Sequence, residues 1–212
     1  MEKNTTVTSR ANPKIQIHVT AGHFASASAH RNNFIDIFDL KCRSSAAKEA
    51  ARELSKFYLA NTVVDMIVCM DGTEILGAYM ADELLQAGSG VINQNSEIYV
   101  VTPTLRADHH YFFHQSVHEK IKGKQALLLV ASMSTGATVS TVMECLSYYG
   151  CKLAGISAVF TTVPSINDVK INSLFTNFDI PEFRYYDPSE CVLCKKGRKL
   201  DAVFSSEGYN KL

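Results

Sequence analysis

The chain has 212 residues, 46% of them apolar and 20% charged, which is enough for one substantial core. Lys plus Arg and Asp plus Glu both number 21, so no basic surplus points to a nucleic-acid or anionic-membrane partner. The first thirty residues lack the apolar run of a secretory signal, so the six cysteines read as reduced thiols of a cytoplasmic protein.

Residues 1–13 are polar and read as a mobile start, after which Lys14 to Val19 alternates apolar and polar as a short strand does. Ala46 to Leu54 is rich in helix formers. Its positions Ala47, Ala50, Ala51, Leu54 and Tyr58 recur at i, i+3, i+4, i+7 and i+11, a core-facing stripe. Val63 to Cys69 is a nearly continuous apolar run, the pattern of a strand covered on both faces. It ends at Met70-Asp71-Gly72-Thr73-Glu74, where Asp71 and Glu74 have the spacing of a capping box for a helix over Ile75 to Gln86.

Glu97 to Thr102 reads as a third strand. Residues 103–124 read as a long polar connection carrying Arg106, His109, His110, His114 and His118. Ala126 to Ala131 is a fourth strand, Ala137 to Tyr149 a helix and Leu153 to Phe160 a fifth strand. Strands alternating with helices of this length imply βαβ units and a mostly parallel sheet flanked by helices. Ligands of such sheets sit beyond the C-terminal strand ends. Met70–Glu74, the 103–118 segment and Ser132–Thr138 are therefore expected on one rim.

Ser134-Thr135-Gly136-Ala137-Thr138 carries the most chemistry. It lies where a buried strand breaks and a helix starts, so backbone N–H groups can converge on an anion. Hydroxyls of Ser132, Ser134, Thr135 and Thr138 add donors, and Gly136 lets the backbone approach a phosphate without a Cβ. The same composition also suits a plain strand-to-helix connection with no ligand.

Taken together, Gly22-His23-Phe24 with Asn32–Asp36, the run Val64–Gly72, the turn Ser134–Thr138 and the ending Tyr186-Asp187-Pro188…Cys191-Val192-Leu193-Cys194 resemble the type I phosphoribosyltransferases, particularly the orotate-type ones. The resemblance spans about Gly22 to Leu212. It implies a parallel sheet in a single domain over 1–212, a small hood from about 1–42 and 180–212, and a homodimer. It also implies that the turn holding Ser132, Ser134, Thr135, Gly136, Ala137 and Thr138 binds the 5-phosphate of phosphoribosyl pyrophosphate. Asp71, Gly72 and Thr73 would lie against the pyrophosphate with Mg²⁺, and the loop 103–118 would close with Arg106 as its catalytic cation. The implied reaction moves ribose 5-phosphate onto a nucleobase, in pyrimidine nucleotide metabolism for the orotate type. Its transition state is oxocarbenium-like, so catalysis would be positioning and charge stabilisation.

Three positions depart from that pattern. Val130 and Ala131 stand where the family has two adjacent acidic residues for the ribose hydroxyls. Losing two charged hydrogen bonds costs about 3–6 kcal/mol, on the order of 10²–10⁴ in transition-state binding. The loop offers histidines, largely neutral at pH 7, in place of lysines. Phe160-Thr161-Thr162-Val163 replaces the Asp-Arg pair that faces orotate. These departures keep a second reading open: a member without turnover that binds a phosphoribosyl compound or nucleotide as a sensor.

Cys191-Val192-Leu193-Cys194 has half the ligand spacing of a structural zinc site. No second C-x-x-C exists, and Cys42, Cys145 or Cys151 would have to be brought in by folding or across a dimer. A turn with free thiols is the reading preferred from the sequence.

Overall fold

A computed structural model describes residues 4–86, 92–93, 96–180, 182–205 and 208–212. Residues 1–3, 181 and 206–207 of the expected hood lie outside the described residues. In chain order the elements are β1 (Asn4–Thr8), β2 (Gln16–Ala25), β3 (His30–Asp36), α1 (Phe38–Cys42), α2 (Ser44–Ser55), β4 (Met66–Cys69) and α3 (Glu74–Gln86). There follow β5 (Tyr99–Val101), β6 (Thr104–Leu105), β7 (Tyr111–Phe112), α4 (Gln115–Ile121), β8 (Gln125–Met133), α5 (Ala137–Tyr148) and β9 (Lys152–Thr161). The chain ends with β10 (Ser165–Ile166), β11 (Val169–Thr176), β12 (Tyr185–Tyr186), a 3₁₀ turn at Pro188–Glu190, α6 (Val192–Lys195), β13 (Ala202–Ser205) and β14 (Gly208–Lys211).

The central sheet has the order β10-β11-β9-β8-β4-β5. Its pairs β11–β9, β9–β8, β8–β4 and β4–β5 are parallel, and only the β10–β11 edge pair is antiparallel. The continuous apolar runs have the physical basis expected of them. Along β4 and β8, Ile67, Cys69, Leu127, Leu129 and Ala131 pack into one core cluster with Leu40 of α1, Leu54 of α2 and Leu76 of α3. The alternate residues Met66, Val68, Leu128 and Val130 pack into the other, with Ile121 of α4 and Val139 and Val142 of α5. The stripe Ala47, Ala50, Ala51, Leu54 and Tyr58 is buried throughout.

A second sheet, β12-β3-β2-β13-β14 with β1 paired to β2, joins the two ends of the chain. The polar start is thus partly a strand, Asn4–Thr8, whose backbone pairs with Thr20–Gln16. Phe24, Phe34 and Ala202 form its own small core, with Phe204 and Tyr209 packed against them. The connection at 103–124 is also more structured than its polarity suggests, holding the antiparallel β6–β7 hairpin and α4. No described helix is long and apolar enough to cross a membrane.

Candidate functional site

Because β4, β8 and β9 run parallel, the segments leaving Cys69, Met133 and Thr161 emerge at one edge. A cavity of about 320 Å³ lies there, between this edge and the second sheet. Its floor is Val130 to Val139, joined by Asp71. The opposite wall comes from β3 and α1 and includes Arg31, Asp36 and Lys41, with Tyr185 of β12 and Phe204 of β13 closing the side.

Met133 is followed by a turn whose last residue, Gly136, is left-handed at φ 81° and precedes the first turn of α5. Only glycine suits this position twice over. A side chain there would adopt a disfavoured backbone conformation, and its Cβ would stand 2.2 Å from Ile166 Cδ1. No side chain caps α5, although the Ala137 N–H makes a long 3.4 Å contact to Thr135 Oγ1. The first-turn amides of a twelve-residue helix therefore border the cavity, together with the positive end of its dipole. The turn is anchored from behind, since the Thr162 hydroxyl donates to the Ser134 carbonyl at 2.6 Å.

Asp71 and Gly72 are both left-handed, at φ 57° and 76°. The expected capping box is not formed. Helix α3 begins at Glu74, and the Glu74 carboxylate accepts from the Thr102 hydroxyl at 2.8 Å instead of turning back to Asp71. Thr73 is fully buried and its hydroxyl donates to the Met70 and Leu129 carbonyls, tying β4 to β8. Asp71 is thereby left in the turn, on the cavity wall, while Gly72 and Thr73 support it from outside the lining.

Two cations line the cavity that no local motif announced. Lys41 is 5% exposed, and its ammonium donates to the Asp71 carbonyl at 2.8 Å. Arg31 lies with its guanidinium carbon 3.9 Å from the centroid of the Phe204 ring. Its Nε is buried without a hydrogen-bond partner, and burial lowers its pKa to about 10. A desolvated guanidinium with an unused donor is a ready partner for an anionic or polar acceptor.

Arg106 takes no part in the lining. It is exposed and pairs with Asp108 at 3.4 Å. His109, His110 and His114 are exposed as well, and the His118 ring is tied to the Phe113 carbonyl at 2.8 Å. The part of this segment felt at the Asp71 turn is Tyr111, whose phenol pKa is raised by burial and then by the Asp71 carboxylate. Val130 and Ala131 both line the cavity, bringing hydrocarbon to the strand end where the resemblance leads one to look for carboxylates. Thr161, in the other departing segment, spends its hydroxyl on the Val163 backbone.

Cys191 and Cys194 do not line this cavity and lie beside His23 of β2 and His30 of β3. Among the described residues these four are the group that could hold a metal ion. Cys42, Cys145 and Cys151 do not join it.

No protein-family model and no curated protein matches the sequence. Solved structures do match in shape. The orotate phosphoribosyltransferase of Mycobacterium tuberculosis superposes with a TM-score of 0.54 at 13% identity, over 77% of this chain and 91% of that one. The UMP synthase of Leishmania donovani gives 0.55 at 16% identity, over 85% of this chain and 36% of that one. The adenine phosphoribosyltransferase of Thermoanaerobacter pseudethanolicus gives 0.50 at 16%, over 68% and 88%. The fold is that of the type I phosphoribosyltransferases, shared by orotate- and adenine-type enzymes alike.

Proposed function

We propose that the cavity binds a 5-phosphorylated ribose and that the protein is a phosphoribosyltransferase-like transferase, moving ribose 5-phosphate from phosphoribosyl pyrophosphate to a nucleobase. One observation carries the reading: the uncapped N-terminus of α5, opened by left-handed Gly136, faces a cavity whose opposite wall holds Lys41. A 5-phosphate would take the amides and hydroxyls of Ser134–Thr138. The pyrophosphate would lie toward Asp71 and Lys41, and the base toward Arg31, Tyr185 and Phe204. Arg31 would then supply the anion contact that an orotate-type acceptor needs, in place of the pair missing at Phe160–Val163. The homodimer expected from the resemblance belongs to the same proposal.

Mg²⁺ fits this site in a limited way. Asp36 and Asp71 are its wall carboxylates, and no group of three or more ligands gathers there among the described residues. Magnesium commonly takes one or two carboxylates together with substrate phosphates. Asp71 is the carboxylate this chain would offer, while the ion would screen the pyrophosphate charge. Lys41 and the α5 amides would orient the sugar phosphate, and Ser132, which follows Val130 and Ala131 in the cavity lining, would offer a side-chain oxygen to the ribose hydroxyls.

Val130 and Ala131 favour the second reading, binding without turnover, because neither accepts a hydrogen bond from ribose. Calorimetry with ribose 5-phosphate and phosphoribosyl pyrophosphate, followed by turnover assays with orotate, uracil, adenine and hypoxanthine in Mg²⁺, separates the two. Binding with turnover supports transfer, and binding without it supports the sensor. Absence of binding to every phosphorylated ribose or nucleotide removes both.

A further inference from the structure

We propose that His23, His30, Cys191 and Cys194 form a structural zinc site that fastens the C-terminal turn to the β2–β3 hairpin. The spacing C-x-x-C supplies half of a tetrahedron, and the hairpin supplies the rest from residues far away in sequence. All four ligand atoms lie within 4.8 Å of one another. His23 Nε2 is 3.2 Å from His30 Nδ1, 3.5 Å from Cys191 Sγ and 3.6 Å from Cys194 Sγ, and Cys194 Sγ is 3.3 Å from His30 Nδ1. Zinc bonds of ~2.0–2.1 Å to nitrogen and ~2.3 Å to sulfur give tetrahedral edges of about 3.4 Å for N···N and about 3.6 Å for N···S. The observed separations are those edges to within about three tenths of an ångström.

Hydrogen bonding without a metal accounts for the cluster less well. His23 Nδ1 faces two backbone carbonyls, Arg198 O at 2.9 Å and Lys199 O at 3.3 Å, and carbonyls accept only. The proton of neutral His23 is therefore on Nδ1. Its single Nε2 lone pair is then directed at three neighbours at once, His30 Nδ1 and both sulfurs. One cation satisfies all four atoms together, and a carbonyl behind the imidazole is the usual support for a metal-bound histidine. The surrounding backbone is held too, since the His23 N–H donates to Asp201 Oδ2 and the Asp201 N–H to the His23 carbonyl.

Two thiolates and two imidazoles select zinc among common divalent ions. Four protein ligands leave no open position, so the site is structural. His23 and Cys191 are fully buried, whereas Cys194 is exposed, which gives the ion a way in. The site borders the cavity wall without belonging to it. His30 pairs with Tyr186, and the neighbouring Arg31 with Tyr185, so metal at His30 would hold the strand pair that carries both cavity residues.

The full chain, purified under reductant without chelator, is expected to carry one zinc per molecule by mass spectrometry of the metal. Cobalt substitution should give the intense visible bands of a tetrahedral thiolate site, bleached by added zinc. C191S/C194S should lose more than nine-tenths of the bound metal, while C42S keeps it. Should the double variant not fold, the cobalt titration of the unaltered chain decides alone. A reduced, folded chain that takes up neither zinc nor cobalt overturns the proposal, as does a Cys191–Cys194 disulfide that persists under reductant or metal retained in a folded double variant.

Discussion

Lys41 is held inside the wall of the cavity, because an ammonium 5% exposed needs partners, and the Asp71 carbonyl is one of them. The wall it belongs to also holds Arg31, whose buried guanidinium has a donor in reserve. Lys41→Met keeps the length of the side chain and removes the charge. Affinity for phosphoribosyl pyrophosphate should fall about 10- to 150-fold, the loss of one charged hydrogen bond of roughly 1.5–3 kcal/mol, while ribose 5-phosphate, which has no pyrophosphate, loses much less. Calorimetry on the two ligands checks this, and an equal loss for both would show that Lys41 is not on the pyrophosphate side. The turn proposed to hold the phosphate was legible as a strand-to-helix break because its pattern is local: strand, small residues and helix follow one another within Ser132–Thr138. Lys41 and Arg31 were not. Nothing in Phe38–Cys42 distinguishes a lysine turned into a cavity from one on a solvated face, and only packing of α1 and β3 over the strand ends makes the difference. Arg106 shows the converse, a cation in an inviting loop that pairs with its neighbour Asp108.

At the scale of elements, the parallel strands could be read because burial on both faces leaves unbroken apolar runs. Of the second sheet, only the alternating start of β2, within Lys14 to Val19, could be read. β1 is exposed along most of its length, and β12 and β14 are short and at most half-buried, so their sequences lack the pattern that burial writes. The Cys191/Cys194 pair showed its spacing, while its partners on β2 and β3 came together only through strand pairing. Between elements, the turn after α2 is fastened by Tyr58. Its hydroxyl donates to the Ile156 carbonyl at 3.1 Å, shares a 2.8 Å hydrogen bond with Ser157 Oγ and accepts from Asn172 Nδ2 at 3.0 Å. One phenol thus joins α2 to β9 and β11. Tyr58→Phe leaves the fully buried Ser157 hydroxyl and the Asn172 amide without this partner, a cost of about 1–3 kcal/mol. Urea denaturation should show a lower midpoint with an unchanged slope. A loss below about 0.5 kcal/mol, the level of an ordinary surface substitution, would mean that the ring's packing alone holds the junction.

The whole molecule is a mostly parallel sheet with apolar residues on both faces, capped at the edge that carries the cavity by a sheet drawn from both ends of the chain. A core built this way confines several titratable groups in their neutral forms, and that sets its response to base. Burial raises the Cys69 thiol from 9.0 to about 12, and the Cys145 and Cys151 thiols from 9.0 to about 11. It also raises the Tyr58 phenol above its usual 10.0. Between pH 9 and 11 the unfolded chain releases these thiol protons while the folded chain keeps them, so the unfolded state binds fewer protons and stability falls as pH rises. Each thiol contributes a slope of up to about 1.4 kcal/mol per pH unit. Arg31 acts in the opposite sense, because its pKa is lowered from 12.5 to about 10, but it is one group and its window opens later. These thiols should therefore leave stability unaffected below about pH 9 and make it decline steeply through pH 11. Cys69→Ala should flatten that decline, since Cys69 keeps its proton over the widest range. Thermal unfolding of both chains under reductant from pH 8 to 11 tests this, and a flat profile, or a Cys69→Ala slope identical to the original, would show that the buried thiols do not govern the alkaline limit.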